Sequence, residues 1–110
     1  MNTYKVIFTE TADECLLNIA EYIALDSPAR ADDFIEELAK SITNTLSIFP
    51  FSGTVQFFEN EIEIRRLPYK KYVCFYRVLE KNSVEILYIF NSAQNTKNLF
   101  KVLKEKLNLN

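Results

Sequence analysis

Arg65-Arg66-Leu67-Pro68-Tyr69-Lys70-Lys71-Tyr72-Val73-Cys74-Phe75-Tyr76-Arg77-Val78 places five cations and three tyrosines on two strands joined at a tight turn. No acid interrupts the run from Ile64 to Leu79. Proline cannot donate to a ladder, so Pro68-Tyr69-Lys70 ends or bends the first strand. Alternation puts Val73, Phe75 and Arg77 on one side of the second strand and Tyr72, Cys74, Tyr76 and Val78 on the other, so part of the aromatic content is core. Arg65 and Arg66 then point to opposite faces, and one of them can pair with Glu63 or Glu85 across the sheet. Tyr69, Lys70 and Lys71 fall at the turn and are exposed in either register.

Working outward, Ile62, Ile64 and Leu67 make the strand before the turn, and Tyr72 to Leu79 the strand after it. Val84 to Phe90 makes a third, reached through the polar turn Glu80-Lys81-Asn82-Ser83, so the three form an antiparallel meander. Tyr4 to Phe8 is an opening strand. Thr9 or Thr11 caps the following helix, whose first turn carries Glu10, Asp13 and Glu14, and Ala12, Leu16, Ile19 and Ile23 give it one apolar face. Ser27-Pro28 is a cap followed by a first-turn proline. It opens a second helix with Phe34, Leu38, Ile42, Leu46 and Phe49 on its stripe, ending at Pro50. So short a link makes the two helices an antiparallel hairpin. Asn95 or Thr96 caps a last helix carrying Leu99, Val102, Leu103 and Leu107, with Lys97, Lys101, Lys104 and Lys106 along it. The expected fold is α+β, in the order β-α-α-β-β-β(-α), with the helical hairpin on a mainly antiparallel sheet.

Composition fits one domain over residues 1–110. The chain is 48% hydrophobic and 14% aromatic with a net charge of -2, enough to bury a core at this length. Cys15 and Cys74 sit inside apolar patterns and are expected as buried thiols, which suits a cytoplasmic protein. No apolar run is long enough for a membrane span. With no histidine and two separated cysteines, a zinc cluster, a Ser-His-Asp triad and a Cys-His dyad are excluded. Gly53 is the only glycine, which excludes glycine-rich phosphate and dinucleotide loops. No metal and no cofactor is expected. Between Glu10 and Lys40 nine acids face only Arg30 and Lys40, so the helical hairpin carries a net charge of -7.

These phrases, in this order, resemble the RelE/ParE toxin superfamily, the toxin halves of type II toxin–antitoxin pairs, and within it the ParE-like plasmid stabilisation toxins. Tyr4-Lys5-Val6-Ile7-Phe8-Thr9 with Ala12, Leu16, Ile19, Tyr22 and Ile23 is similar to the family's opening strand and first helix. Ser27-Pro28-Ala29-Arg30-Ala31 is similar to its second helix, Phe49-Pro50-Phe51-Ser52-Gly53 to its post-helical phrase, and Val84-Glu85-Ile86-Leu87-Tyr88-Ile89-Phe90 to its last strand. The resemblance implies two branches on one fold. One cuts messenger RNA in the ribosomal decoding site with basic residues and a tyrosine or histidine on the sheet. The other inhibits DNA gyrase by protein contact and has no catalytic residues.

The second branch fits better. In the ribonuclease branch the last strand runs into arginines, or a histidine and an arginine, whereas here Phe90 is followed by Asn91-Ser92-Ala93-Gln94-Asn95. Arg65, Arg66 and Arg77 match the nuclease ladder only in part. The sequence isoelectric point of about 5.2 also departs from the usually basic family and leaves few cations for phosphate contacts. The expectation is therefore a non-enzymatic gyrase inhibitor neutralised by a cognate antitoxin. Its target contacts would be Arg65, Arg66, Tyr69, Lys70, Lys71, Tyr72 and Arg77, and its antitoxin groove Leu16, Ile23, Phe34 and Leu38. The alternatives are a ribosome-dependent ribonuclease using Arg65, Arg66, Arg77 and Tyr72, and a non-toxic antitoxin-binding module.

Overall fold

Thr9 starts the first helix and also fixes it to the sheet. In the computed structural model, which describes residues 3–93 together with Lys101 and Glu105, the Thr9 hydroxyl accepts from the Ala12 amide at 3.1 Å. It also donates to the Ile86 carbonyl at 2.8 Å. The same residue thus caps α1 (Glu10–Ala24) and ties it to β5 (Ser83–Asn91), directly after the short strand β1 (Lys5–Phe8). Ser27 caps α2 (Pro28–Ile48) by accepting from the Arg30 amide at 3.3 Å, with Pro28 in the first turn where its missing donor has no intrahelical role. Phe49 and Pro50 close that helix as expected.

Three hairpin strands precede β5: β2 (Thr54–Glu59), β3 (Ile62–Tyr69) and β4 (Tyr72–Leu79). The sheet order is β1-β5-β4-β3-β2, with β1 parallel to β5 and all other pairs antiparallel. The α+β class, the helical hairpin and the meander agree with the sequence reading. β2 is an addition to it. No strand was expected over residues 54–59, because Val55, Phe57 and Phe58 do not alternate and a register shift interrupts the pairing between Val55 and Phe57. Its link to β3 is Asn60-Glu61, both at positive φ (51° and 69°), a two-residue I′-type turn made without the glycine that would have signalled it. Pro68 is tolerated within β3 because β2 reaches only to Arg66, leaving residues 67–69 with a partner strand on one side alone.

Both helices lie on one face of the sheet. There Ala12, Cys15, Ile19, Leu38, Ile42 and Leu46 pack on Tyr72, Cys74, Tyr76, Val84, Ile86 and Ile89. The opposite face carries a second buried cluster of Ile64, Val73, Phe75, Leu87 and Phe90, with the Phe75 and Phe90 rings stacked at 5.2 Å. Cys15 and Cys74 are both buried and form no disulfide. Among the described residues no helix is long and apolar enough to cross a membrane. The expected last helix, with Asn95, Thr96, Leu99, Val102, Leu103 and Leu107, and the cations Lys97, Lys104 and Lys106 lie outside the described residues. Lys101 is described, as helical and exposed.

Candidate functional site

The β3–β4 hairpin was expected to present free cations, and its register decides how many it has. Arg65 lies opposite Tyr76 on the face that carries the helices. Its guanidinium donates to the carbonyls of Gly53 at 2.6 Å and Phe51 at 3.2 Å, binds the Glu63 carboxylate at 2.6 Å and stacks 5.1 Å from the Phe51 ring centroid. It is a staple holding the link between α2 and β2. Beside it, the Tyr76 hydroxyl, fully buried, accepts from the Gly53 amide at 2.9 Å. A Cβ on Gly53 would lie 2.5 Å from the Arg66 carbonyl oxygen and 2.6 Å from the Tyr76 hydroxyl. The one glycine of the chain is therefore required by close approach, not by φ.

Arg77 is also committed. Its Nε donates to Glu85 at 2.7 Å, the neighbour directly across β4 and β5, and its Nη2 reaches the same carboxylate oxygen at 2.6 Å. Lys70 sits at the turn with φ 53°, leans 5.8 Å from the Phe34 ring centroid and 5.5 Å from that of Tyr69, and pairs with Glu37 of α2 at 3.5 Å. Arg66 is half-buried on the opposite face, opposite Phe75, and its Nε finds no hydrogen-bond partner. Lys71 is exposed and makes no ion pair among the described residues.

Three of the seven expected contact residues are engaged within the chain itself. Arg65 and Arg77 are held by acids two and eight residues away along the chain. Tyr72 is buried against Phe34, the ring centroids 5.5 Å apart. Tyr69, half-buried, with Lys70 and Lys71 form the exposed tip, and Arg66 stands apart on the other face. Burial, followed by the charge of Tyr22, raises the Tyr72 hydroxyl above its ordinary value. Burial likewise raises Tyr76 despite its hydrogen bond to Gly53, and raises Tyr88 with a smaller effect from Cys15. The Cys74 thiol is pushed far up by burial. None of these groups is poised to act as a base or nucleophile near neutral pH.

The residues expected to line the antitoxin groove also pack within the chain. Leu38 is 0% exposed in the core, and Leu16, Ile23 and Phe34 pack partly buried against the same cluster, so they hold the helices to the sheet. What α1 and its C-cap leave exposed is Leu17, Tyr22 and Leu25, at 60%, 69% and 82%. The sequence signal for them was present: these three fall off the stripe of Ala12, Leu16, Ile19 and Ile23. Tyr22 also walls an open cleft of about 420 Å³ between α1 and the ends of β4 and β5. All nine acids of the hairpin are exposed, and Glu37 alone makes an ion pair among the described residues.

Residues 6–96 match the sequence model of the family described as ParE toxin of type II toxin-antitoxin system, parDE. No curated protein matches the chain. Among solved structures, the toxin-antitoxin complex RelBE2 from Mycobacterium tuberculosis superposes with a TM-score of 0.63 at 21% identity, covering 86% of this chain and 97% of that one. A chain of the chromosomal ParDE system from P. aeruginosa superposes with a TM-score of 0.62 at 16% identity, covering 81% and 96%. At these identities the two likenesses speak to the fold.

Proposed function

From the premise that this chain belongs to the ParE toxin family of type II toxin–antitoxin systems, we propose that it inhibits DNA gyrase by protein contact in the cytoplasm and is neutralised by a cognate antitoxin protein. The observation that carries this reading is the internal neutralisation of the basic hairpin, in which Arg65, Lys70 and Arg77 are each ion-paired to a carboxylate of the same chain. Cleaving RNA requires cations held ready for the scissile phosphate and the charge that develops on it, and losing one such group costs orders of magnitude in rate. β5 ends at Asn91 and runs into Ser92-Ala93, which add no charged group. Protein recognition makes no such demand.

On this reading the target contacts are Tyr69, Lys70 and Lys71 at the tip, with Arg66 on the neighbouring face, and the chain works without metal or cofactor. The structural likeness to toxin–antitoxin complexes supports an antitoxin partner. The test is a supercoiling assay with purified chain and gyrase. Loss of supercoiling that the Lys70→Ala/Lys71→Ala double variant relieves is expected, and normal supercoiling at saturating protein overturns the reading.

Arg66 favours a second reading, since a guanidinium nitrogen buried without a partner on the sheet suits an anion. Were the chain a ribosome-dependent ribonuclease, new 3′ ends would arise on ribosome-bound messages and vanish with Arg66→Ala. Unimpaired growth on expression of the chain alone would instead mark a non-toxic antitoxin-binding module.

A further inference from the structure

Leu17, Tyr22 and Leu25 project away from the stripe that packs α1 on the sheet, and exposed apolar residues within an acidic surface need a reason. Tyr22 supplies one. It stands over the cleft of about 420 Å³, whose other walls include Cys15, Asn18, Tyr72, Tyr88 and Asn91. The lining is made of rings, aliphatic side chains, a thiol and amides, with no charged side chain in it. Its rim is charged. Glu14 lies one turn before Asn18 on α1, Glu21 one turn after Leu17, and Asp26 follows the C-cap Leu25. All three are exposed and make no ion pair among the described residues. The nearby cation in sequence is Lys71, next to Tyr72.

We infer that this cleft and the exposed side of α1 form the docking surface for a basic amphipathic segment of the antitoxin, which places an aromatic or branched aliphatic side chain between Tyr22, Tyr72 and Tyr88 and sets lysines or arginines against Glu14, Glu21 and Asp26. The inference rests on the reading of the chain as a toxin with a protein antitoxin. Charge complementarity selects the occupant: an acidic segment would meet the uncompensated charge of both helices. Exposed ion pairs contribute little individually, so the buried side chain carries the affinity while the acids set selectivity and association rate.

The test uses two designed peptides with the same leucine and phenylalanine face, one with lysine and one with glutamate on the polar face, titrated into the full chain by fluorescence anisotropy. The lysine peptide is expected to bind at least about tenfold more tightly, with affinity falling as salt rises. Its amide shift changes in NMR are expected at Asn18, Tyr22, Tyr88 and Asn91. Tyr22→Ala, at an exposed position, is expected to weaken it about fivefold or more while leaving the melting curve in place. Glu14→Gln/Glu21→Gln is expected to flatten the salt dependence.

Equal binding of the two peptides, no binding by either, or shifts confined to β2 or the hairpin tip would each overturn the proposal. A concentration-dependent dimer abolished by Tyr22→Ala would also overturn it, assigning the surface to a second copy. Because the assay involves neither gyrase nor toxicity, its failure is distinguishable from that of the proposed function. Normal supercoiling alongside tight lysine-peptide binding would sink only the gyrase reading.

Discussion

The helical hairpin and the β3–β4 hairpin carry opposite charges, and they differ even more in how much of that charge is available. On the strands, cross-strand neighbours lie about 5 Å apart, so acids of adjacent strands or of the facing helix reach Arg77 and Lys70, and Glu63 on the same strand face reaches Arg65. On the helices the outward positions hold nine acids against Arg30 and Lys40, and neither cation forms an ion pair among the described residues. The strand cations are largely spent on the fold, whereas the helix acids still face solvent. A count of charges along a sequence therefore overstates the first surface and understates the second.

The largest effect that would break this comparison lies at Leu38. It is fully buried, so Leu38→Ala is expected to cost about 3 kcal/mol of stability, whereas Leu17→Ala on the exposed side of the same hairpin should stay within about 0.5 kcal/mol. Urea denaturation measures both; a harmless Leu38→Ala would return that residue to a partner-facing role. Next comes Gly53→Ala, whose methyl group has no room against the Arg66 carbonyl and the Tyr76 hydroxyl and should cost about 2 kcal/mol, read as a lowered thermal midpoint.

Arg65→Ala against Lys71→Ala sharpens the distinction between structural and available cations. The first should destabilise by about 1.5 kcal/mol by releasing two loop carbonyls and Glu63, while the second leaves stability unchanged and lowers only the effect on the target. Equal stability losses would erase the distinction.

A smaller, graded effect follows from the buried tyrosines and thiol. Tyr72, Tyr76, Tyr88 and Cys74 titrate higher in the folded chain than in the unfolded one, so their protonated forms stabilise the fold below the unfolded values of 9.0 for the thiol and 10.0 for the tyrosines. That stability is lost as the pH rises past those values. Denaturation midpoints should thus fall between about pH 9 and 11, and Tyr76→Phe should reduce the slope. The smallest effect is expected at the β2–β3 turn. Glu61 adopts a left-handed conformation that glycine takes without strain, so Glu61→Gly should stabilise by about 0.5 kcal/mol, within reach of careful calorimetry.

Much of this architecture was legible in the residues themselves. Thr9 and the pair Ser27-Pro28 announced the two helices because a cap satisfies local amides and depends on neighbours only a turn away. The meander was legible for a similar reason, since alternation over Tyr72 to Leu79 and Val84 to Phe90 reflects a surface that those strands create themselves. β2 was not, because its pairing is bent by a register shift and its turn uses asparagine and glutamate where glycine is the usual sign. At the candidate site the exposure of Lys70 and Lys71 could be read from their place in a turn, and so could the chance that an arginine would find Glu63 or Glu85.

By itself the sequence determined the two helices, every strand but β2 and the sign of charge on each segment, which follow from local periodicity, caps and composition, while the family follows from the match of residues 6–96. Tertiary structure alone decided that Arg65 would staple the loop around Gly53, that Leu38 would be sealed while Leu17 and Tyr22 stayed in solvent, and that a cleft lined by no charged side chain would open beside α1. These outcomes depend on which residues distant in sequence meet across the sheet, and a side chain's availability is settled by that meeting rather than by its own chemistry.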